Sequence, residues 1–304
     1  MRDKKYLTDK IKFVNRSKNF DTLCIVLAGY KEFLNSAVMG RLKKYIPEKI
    51  DVCIITSGKW SDSISLLCEE NKWSYLSTER NNVSLAQNIA INIHKNAEYI
   101  FKLDEDIFIT KGYFEKMINS YKKCRDNSLY NAGCLAPIIP INGFGHVKVI
   151  EKYKMEYIYK KIYGDLKIAS GPERPIESNA KLAMFMWGEP IEVEGETYHL
   201  PGIDKMNEDF SKDEEKLYGC PIRFSIGAIL FERKIWKDMG YFHVGKGNAM
   251  GADEVQLCEY CMIQSRPIVI TNNTVVGHLS FGKQNEDMKN YYLSHTSIFM
   301  PNNE

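Results

Sequence analysis

The chain has 304 residues, 44% of them hydrophobic and 26% charged, proportions of a soluble globular protein long enough for one large α/β domain or two small ones. Lys and Arg exceed Asp and Glu only 41 to 39, which excludes a global positive field for nucleic acid. No stretch approaches ~18 uninterrupted apolar residues and no apolar leader opens the chain, so the expectation is a cytoplasmic protein without a membrane span.

Residues 1–18, MRDKKYLTDKIKFVNRSK, hold seven Lys or Arg against two Asp. The segment 1–20 reads as a solvated basic tail, with peripheral contact to an anionic membrane surface as the alternative. TLCIVLAG (22–29) is an apolar run ended by Gly, followed by KEFLNSAVMGRLKKYI with helical spacing. IDVCIITSG (50–58) repeats that pattern, with SDSISLLCEENK as the next helix and WSYLST as a third short strand. SLAQNIAINIHKNA is an amphipathic helix leading into the strand EYIFKLDEDIFI. Strands separated by helical segments of this length predict βαβ units and a largely parallel sheet.

Beyond residue 130 the rhythm changes. NAGCLAPIIPI is a strand ended by prolines, and residues 142–220 are polar and interrupted by Gly and Pro, as in an inserted lobe or long surface loops. Regularity returns with IRFSIGAILFERKIWKDMGYF, a Gly-rich turn HVGKGNAMG, the helix ADEVQLCEYCMIQS, the strand PIVITNNTVVGHLSF and a polar tail from 286 to 304. Cys24, Cys53 and Cys134 lie in strand-like runs, and Cys258 with Cys261 forms one isolated C-x-x-C. All eight cysteines are expected to be reduced structural thiols.

The chemistry concentrates at LDED. Asp104 and Asp106 are two apart, so in extended chain both carboxylates project to one side and Glu105 to the other. Hard oxygen ligands of this kind suit Mg²⁺ or Mn²⁺ shared with substrate phosphates. The cluster closes a strand of a parallel sheet, the edge where ligands of such sheets bind. A bare D-x-D also occurs as a solvated acidic turn, so the pair needs its context.

In that context the sequence resembles the GT-A-fold glycosyltransferases, in particular the large inverting family 2 of bacterial polysaccharide and lipopolysaccharide transferases. AQNIA (86–90) followed by AEYIFKLDEDI (97–107) is similar to the family's A-R-N-x-G helix and A-x-x-x-I-x-x-L-D-x-D, departing at Gln87 and Ala90. SIGAILFERKIWKDMGYF (225–242) looks like the family's approach to the acceptor site, and GADEVQLCEY (251–260) like its E-D-x-D-L motif, with Gln256 in place of the last Asp.

The resemblance implies a mixed, mostly parallel α/β sheet of GT-A (Rossmann-like) type flanked by helices. Residues 21–135 would form the nucleotide-sugar half and 136–285 the acceptor half, with 142–220 as a variable insertion. It implies a UDP-sugar or other nucleoside-diphosphate sugar as donor, a glycan or lipid-linked glycan as acceptor, and Mn²⁺ or Mg²⁺ as cofactor. Carried over, Asp106 would be the principal metal ligand, with Asp104 on the metal or the donor ribose and His278 of VVGHLSFGK as a further metal ligand or a diphosphate contact. Ala28, Tyr30, Ser57, Arg80 and Asn88 would contact the donor, and Glu254 or Asp253 would be the catalytic base; both acids also suit a helix N-terminus. Trp187 and Tyr198 are candidates for stacking on sugar faces, or anchors of core and loop. A sugar nucleotidyltransferase would need a Gly-rich G-G-x-G-(T/S)-R loop, which LAGYKEF lacks. A two-carboxylate glycosidase and a non-catalytic binding protein complete the alternatives.

Overall fold

The computed structural model describes residues 2–127, 130–169, 175–245, 251–280 and 282–301. The first half runs α1 (Arg2–Leu7), β1 (Ile11–Val14), β2 (Thr22–Leu27), α2 (Asn35–Tyr45), β3 (Asp51–Ser57), α3 (Asp62–Glu70), β4 (Ser74–Thr78), α4 (Val83–Ile93), β5 (Tyr99–Leu103), β6 (Ile107–Phe108), α5 (Tyr113–Asn127) and β7 (Cys134–Ile138). The second half adds α6 (Gly145–Lys152), α7 (Glu156–Tyr163), α8 (Ala180–Met186), β8 (Ile191–Val193), β9 (Glu196–Tyr198), α9 (Ile203–Ser211), β10 (Leu217–Gly219), β11 (Ala228–Glu232), α10 (Arg233–Asp238), α11 (Ala252–Ile263), β12 (Ile268–Val275), β13 (Gly277–His278), α12 (Asn285–Ser294) and α13 (Thr296–Phe299).

The largely apolar runs of β2, β3 and β5 bury both faces, as interior strands of a helix-covered sheet must. Helices α3 and α4 start where Ser61 and Asn82 accept the backbone N–H of Ile64 and Leu85. Nine strands form one mixed, mostly parallel sheet in the order β1-β4-β3-β2-β5-β11-β7-β12-β10. From β2 the chain runs outward through parallel β3 and β4, then returns to the other flank of β2 as parallel β5. The winding direction therefore reverses between β2 and β5, which opens a crevice at their carboxyl ends.

Several expected loops are built into the core instead. The basic opening segment, expected as a solvated tail, contributes α1 and the antiparallel edge strand β1, paired with β4. Among the described residues, 142–220 supply four helices, the β8–β9 hairpin and the edge strand β10, and Leu182, Phe185, Met186 and Trp187 are buried. The expected single strand at 267–281 breaks into β12 in the main sheet and β13, which pairs with β6. The end of the chain, expected as a polar tail, forms α12 and α13, whose Met288, Tyr292 and Phe299 are buried. Trp187 packs edge-on to Phe108 with ring centroids 5.2 Å apart and lies 4.4 Å from Phe299, so it is a core anchor. All eight cysteines are free, and among the described residues no helix is long and apolar enough to cross a membrane.

Candidate active site

The loops after β2 and β5 meet at the crevice. Gly29 adopts a positive φ of 104° and turns the chain so that Tyr30 and Lys31 face the acidic loop. Glu105 accepts the backbone N–H of both, at 2.8 Å from Tyr30 and 2.9 Å from Lys31. This third acid therefore joins the two loops. A carboxylate is matched to that task because one oxygen can accept two amide protons.

Asp106 is buried and divided between two neighbours. Its Oδ2 accepts Lys31 Nζ at 2.6 Å, and its Oδ1 lies 3.3 Å from His278 Nε2. The β6–β13 pairing places that histidine, with His278 opposite Ile107 and the Leu279 N–H bonded to the Asp106 carbonyl. Burial opposes the charge on Asp106, but His278 and Lys31 more than offset it and hold the carboxyl below the usual range. For Lys31, burial is likewise outweighed by Asp106, with Glu105 and Asp104 behind it, so the ammonium is held charged.

Asp104 takes a different cation. Lys102, two residues earlier on the same face of β5, donates to Asp104 Oδ1 at 2.5 Å and to the Ile226 carbonyl at 2.9 Å. Burial disfavours the Lys102 charge, and Asp104, Asp253 and Glu254 restore it. Asp104 and Glu105 are both pushed up, each chiefly by burial and only partly relieved by Lys102 and by the loop amides.

The acids at the start of α11 complete the cluster, since their charges act on Lys102. Asp253 is buried and its Oδ2 accepts Gln87 Nε2 at 2.8 Å, so the residue that departs from the family's Arg meets the candidate base. Glu254 Oε1 accepts Arg223 Nε at 2.5 Å. Gln256 ties α11 to the preceding turn through the Tyr241 and Met239 carbonyls, 2.8 and 3.2 Å away.

Of the expected donor contacts, Tyr30 is 54% exposed at the crevice, and its hydroxyl donates to the Ser57 carbonyl at 2.7 Å and lies 2.9 Å from Asn81 Oδ1. Ser57 Oγ bonds the same Asn81 oxygen, and Ala28 is buried against β3. Gly58 permits this convergence, since its φ is 75° and a Cβ there would lie 2.5 Å from Asn81 Cβ. Two residues stand apart. Arg80 is engaged by Thr8 and Asp9, and Asn88 is buried with its amide bonded to Trp236 Nε1 and to the backbone of Phe242. The expectation of donor contact by Asn88 thus gives way to a structural role, because that amide has no face toward the crevice. Tyr198 lies on the β8–β9 hairpin and bonds Glu196.

Sequence reasoning missed Lys31, Lys102, Arg223 and Asn81. Only Lys102 left a signal, a lysine inside the apolar run IFKL two residues before Asp104. As to a metal, the described residues hold no group of three or more His, Cys, Asp and Glu suited to one. Two protein ligands suffice for an ion that completes its shell with phosphate and water. The Asp106 Oδ1 to His278 Nε2 spacing of 3.3 Å is close to the roughly 3 Å between adjacent ligands of an octahedral ion with ~2.1 Å bonds. The pair therefore fits a substrate-shared cation, while Asp104 is engaged by Lys102.

No family model matches the sequence and no curated protein does. Among solved structures the chain is similar to mannosyltransferase PcManGT from Pyrobaculum calidifontis in complex with GDP-Man and Mn²⁺, at 11% identity and TM-score 0.48 over 87% of this chain and 58% of that one. It is similar to S. aureus TarS 1-349 at 12% identity and TM-score 0.45, over 92% of this chain and 64% of that one. It is also similar to 4-diphosphocytidyl-2C-methyl-D-erythritol synthase from Anaerococcus prevotii at 11% identity and TM-score 0.44, over 92% of this chain and 99% of that one. The chain spans less than two thirds of the first two, and likeness at this level leaves the activity to be argued from the site.

Proposed function

We propose that the chain is a glycosyltransferase that moves a sugar from a nucleoside-diphosphate sugar, a UDP-sugar first among them, to a hydroxyl of a glycan or lipid-linked glycan with inversion at the anomeric carbon. The observation that carries this reading is the convergence of Asp106, His278, Asp104 and the α11 acids on the crevice between β2 and β5. Asp106 and His278 would hold Mn²⁺ or Mg²⁺, an ion whose charge would stabilise the departing diphosphate. Tyr30, held by Ser57 and Asn81, offers an exposed ring to the nucleobase.

Glu254 or Asp253 is assigned to accept the proton of the attacking hydroxyl. Both stand at the amino end of α11, where their charges act on Lys102 together with that of Asp104, and a carboxylate at that position can receive the proton. The segment 142–220, whose Leu182, Phe185, Met186 and Trp187 are buried, would shape the acceptor side. Incubation with UDP- and GDP-sugars plus Mn²⁺ is expected to release nucleoside diphosphate, and more of it when acceptor glycans are added. Release of pyrophosphate from a nucleoside triphosphate, with no diphosphate from any sugar donor, would sink the proposal in favour of nucleotidyl transfer.

A further inference from the structure

Lys31 lies on the loop after β2, and that loop is fixed to the acidic loop by the two amide bonds to Glu105. Its ammonium meets Oδ2 of Asp106 at 2.6 Å, and the lysine side chain is 26% exposed where that of Asp106 is only 5% exposed. The lysine is thus the more solvent-exposed partner of the pair. Asp106 turns its other oxygen to His278, the direction in which an ion would be held. An ammonium on one oxygen and a divalent ion on the other would share a single negative charge, and they would repel across a poorly solvated site.

A diphosphate changes this balance. It brings its own oxygens, and an ammonium on a flexible four-carbon stem is a ready phosphate partner. Lys102 lacks that freedom, since its nitrogen is buried and held by Asp104 and the Ile226 carbonyl. We infer that Lys31 is a diphosphate-binding residue that caps Asp106 until the nucleotide arrives, making cation uptake conditional on a bound nucleoside diphosphate. This inference rests on the transferase reading above, and it names a residue that neither the D-x-D pattern nor its implied ligand set includes.

The test is Mn²⁺ binding to the full chain by water-proton relaxation enhancement, which separates protein-bound Mn²⁺ from Mn²⁺ on free nucleotide. Wild type, Lys31→Met, Lys31→Gln and the double variant Lys31→Met/Asp106→Asn are compared with Mn²⁺ alone and with UDP or GDP added. Losing a charge-assisted competitor predicts that Lys31→Met binds Mn²⁺ alone about tenfold or more tightly than wild type, and that the double variant loses this gain. Wild type is expected to take up Mn²⁺ only with UDP or GDP, and Lys31→Gln gives the same comparison should the Met variant fail to fold. Equal uptake of Mn²⁺ alone by wild type and both Lys31 variants overturns the capping role and leaves the transferase reading standing. Absence of any ternary complex with UDP or GDP removes the transferase reading, and this inference with it.

Discussion

Asp104, Glu105 and Asp106 are consecutive, yet each carboxylate meets a different partner: a buried lysine, two backbone amides, and a lysine with a histidine. That division is how one loop holds three acids without a cluster of unpaired charge. For the α11 acids, replacing the true base should lower turnover by about 10²–10⁴-fold with donor affinity nearly unchanged. The check is kcat and KM for Glu254→Gln and Asp253→Asn with a UDP-sugar; full transfer by both removes the assignment. Elsewhere, burial pushes the His146 imidazole down to about 4, with the Asn142 carbonyl 2.9 Å from Nδ1 opposing it only in part. The unfolded chain takes that proton near 6.5, so its stabilising effect is whole above that pH and declines as pH falls toward 4. Between pH 7 and 5 the loss from this group is about 2 kcal/mol. Urea melts at both pH values should show a smaller difference for His146→Gln, and an unchanged difference would refute it.

Among the elements, the join of α2, α9 and the chain end is set by one buried cation. Arg41 on α2 binds both oxygens of Asp204 on α9 at 2.8 Å and donates to the carbonyls of Ile109, Phe299 and Met300. Asp204→Ala leaves a buried guanidinium without its counter-charge, a change that costs about 3–5 kcal/mol. Urea unfolding should show that loss, with proteolysis after residue 294 appearing first; a loss under roughly 1 kcal/mol would mean the pair is incidental. A second join is Gly277, where a Cβ would lie 2.3 Å from the Trp187 ring. The absent side chain lets Trp187 sit beneath β13 and bond the His278 carbonyl at 3.3 Å, so the core supports the strand that carries the histidine.

At the scale of the whole molecule, the reversal of winding between β2 and β5 places the site. Tyr30 and Glu105 are 75 positions apart, and Gln87 and Asp253 are 166 apart, yet both pairs bond directly. Strands from both halves of the chain build the crevice, for β11, from the second half, lies between β5 and β7, and Gly227 just before it accepts the Asp104 N–H on its carbonyl. The segment 142–220 read as surface because it is polar and interrupted by Gly and Pro. Leu182, Phe185, Met186 and Trp187 nonetheless close the core beside α12 and α13.

The sequence by itself determined the local terms: that the runs of β2, β3, β4, β5, β7 and β12 are strands, that helices follow the first three of them, and that the acids at 104–106 end a buried strand. These depend on periodicity, capping and alternation, interactions within a few residues that a linear reading can follow. Only the tertiary structure decided which partner each acid meets, that Asn88 faces inward, and that both ends of the chain join the fold. Those outcomes depend on contacts between segments far apart in the chain, where Lys31 reaches Asp106 only because two loops are brought to one sheet edge.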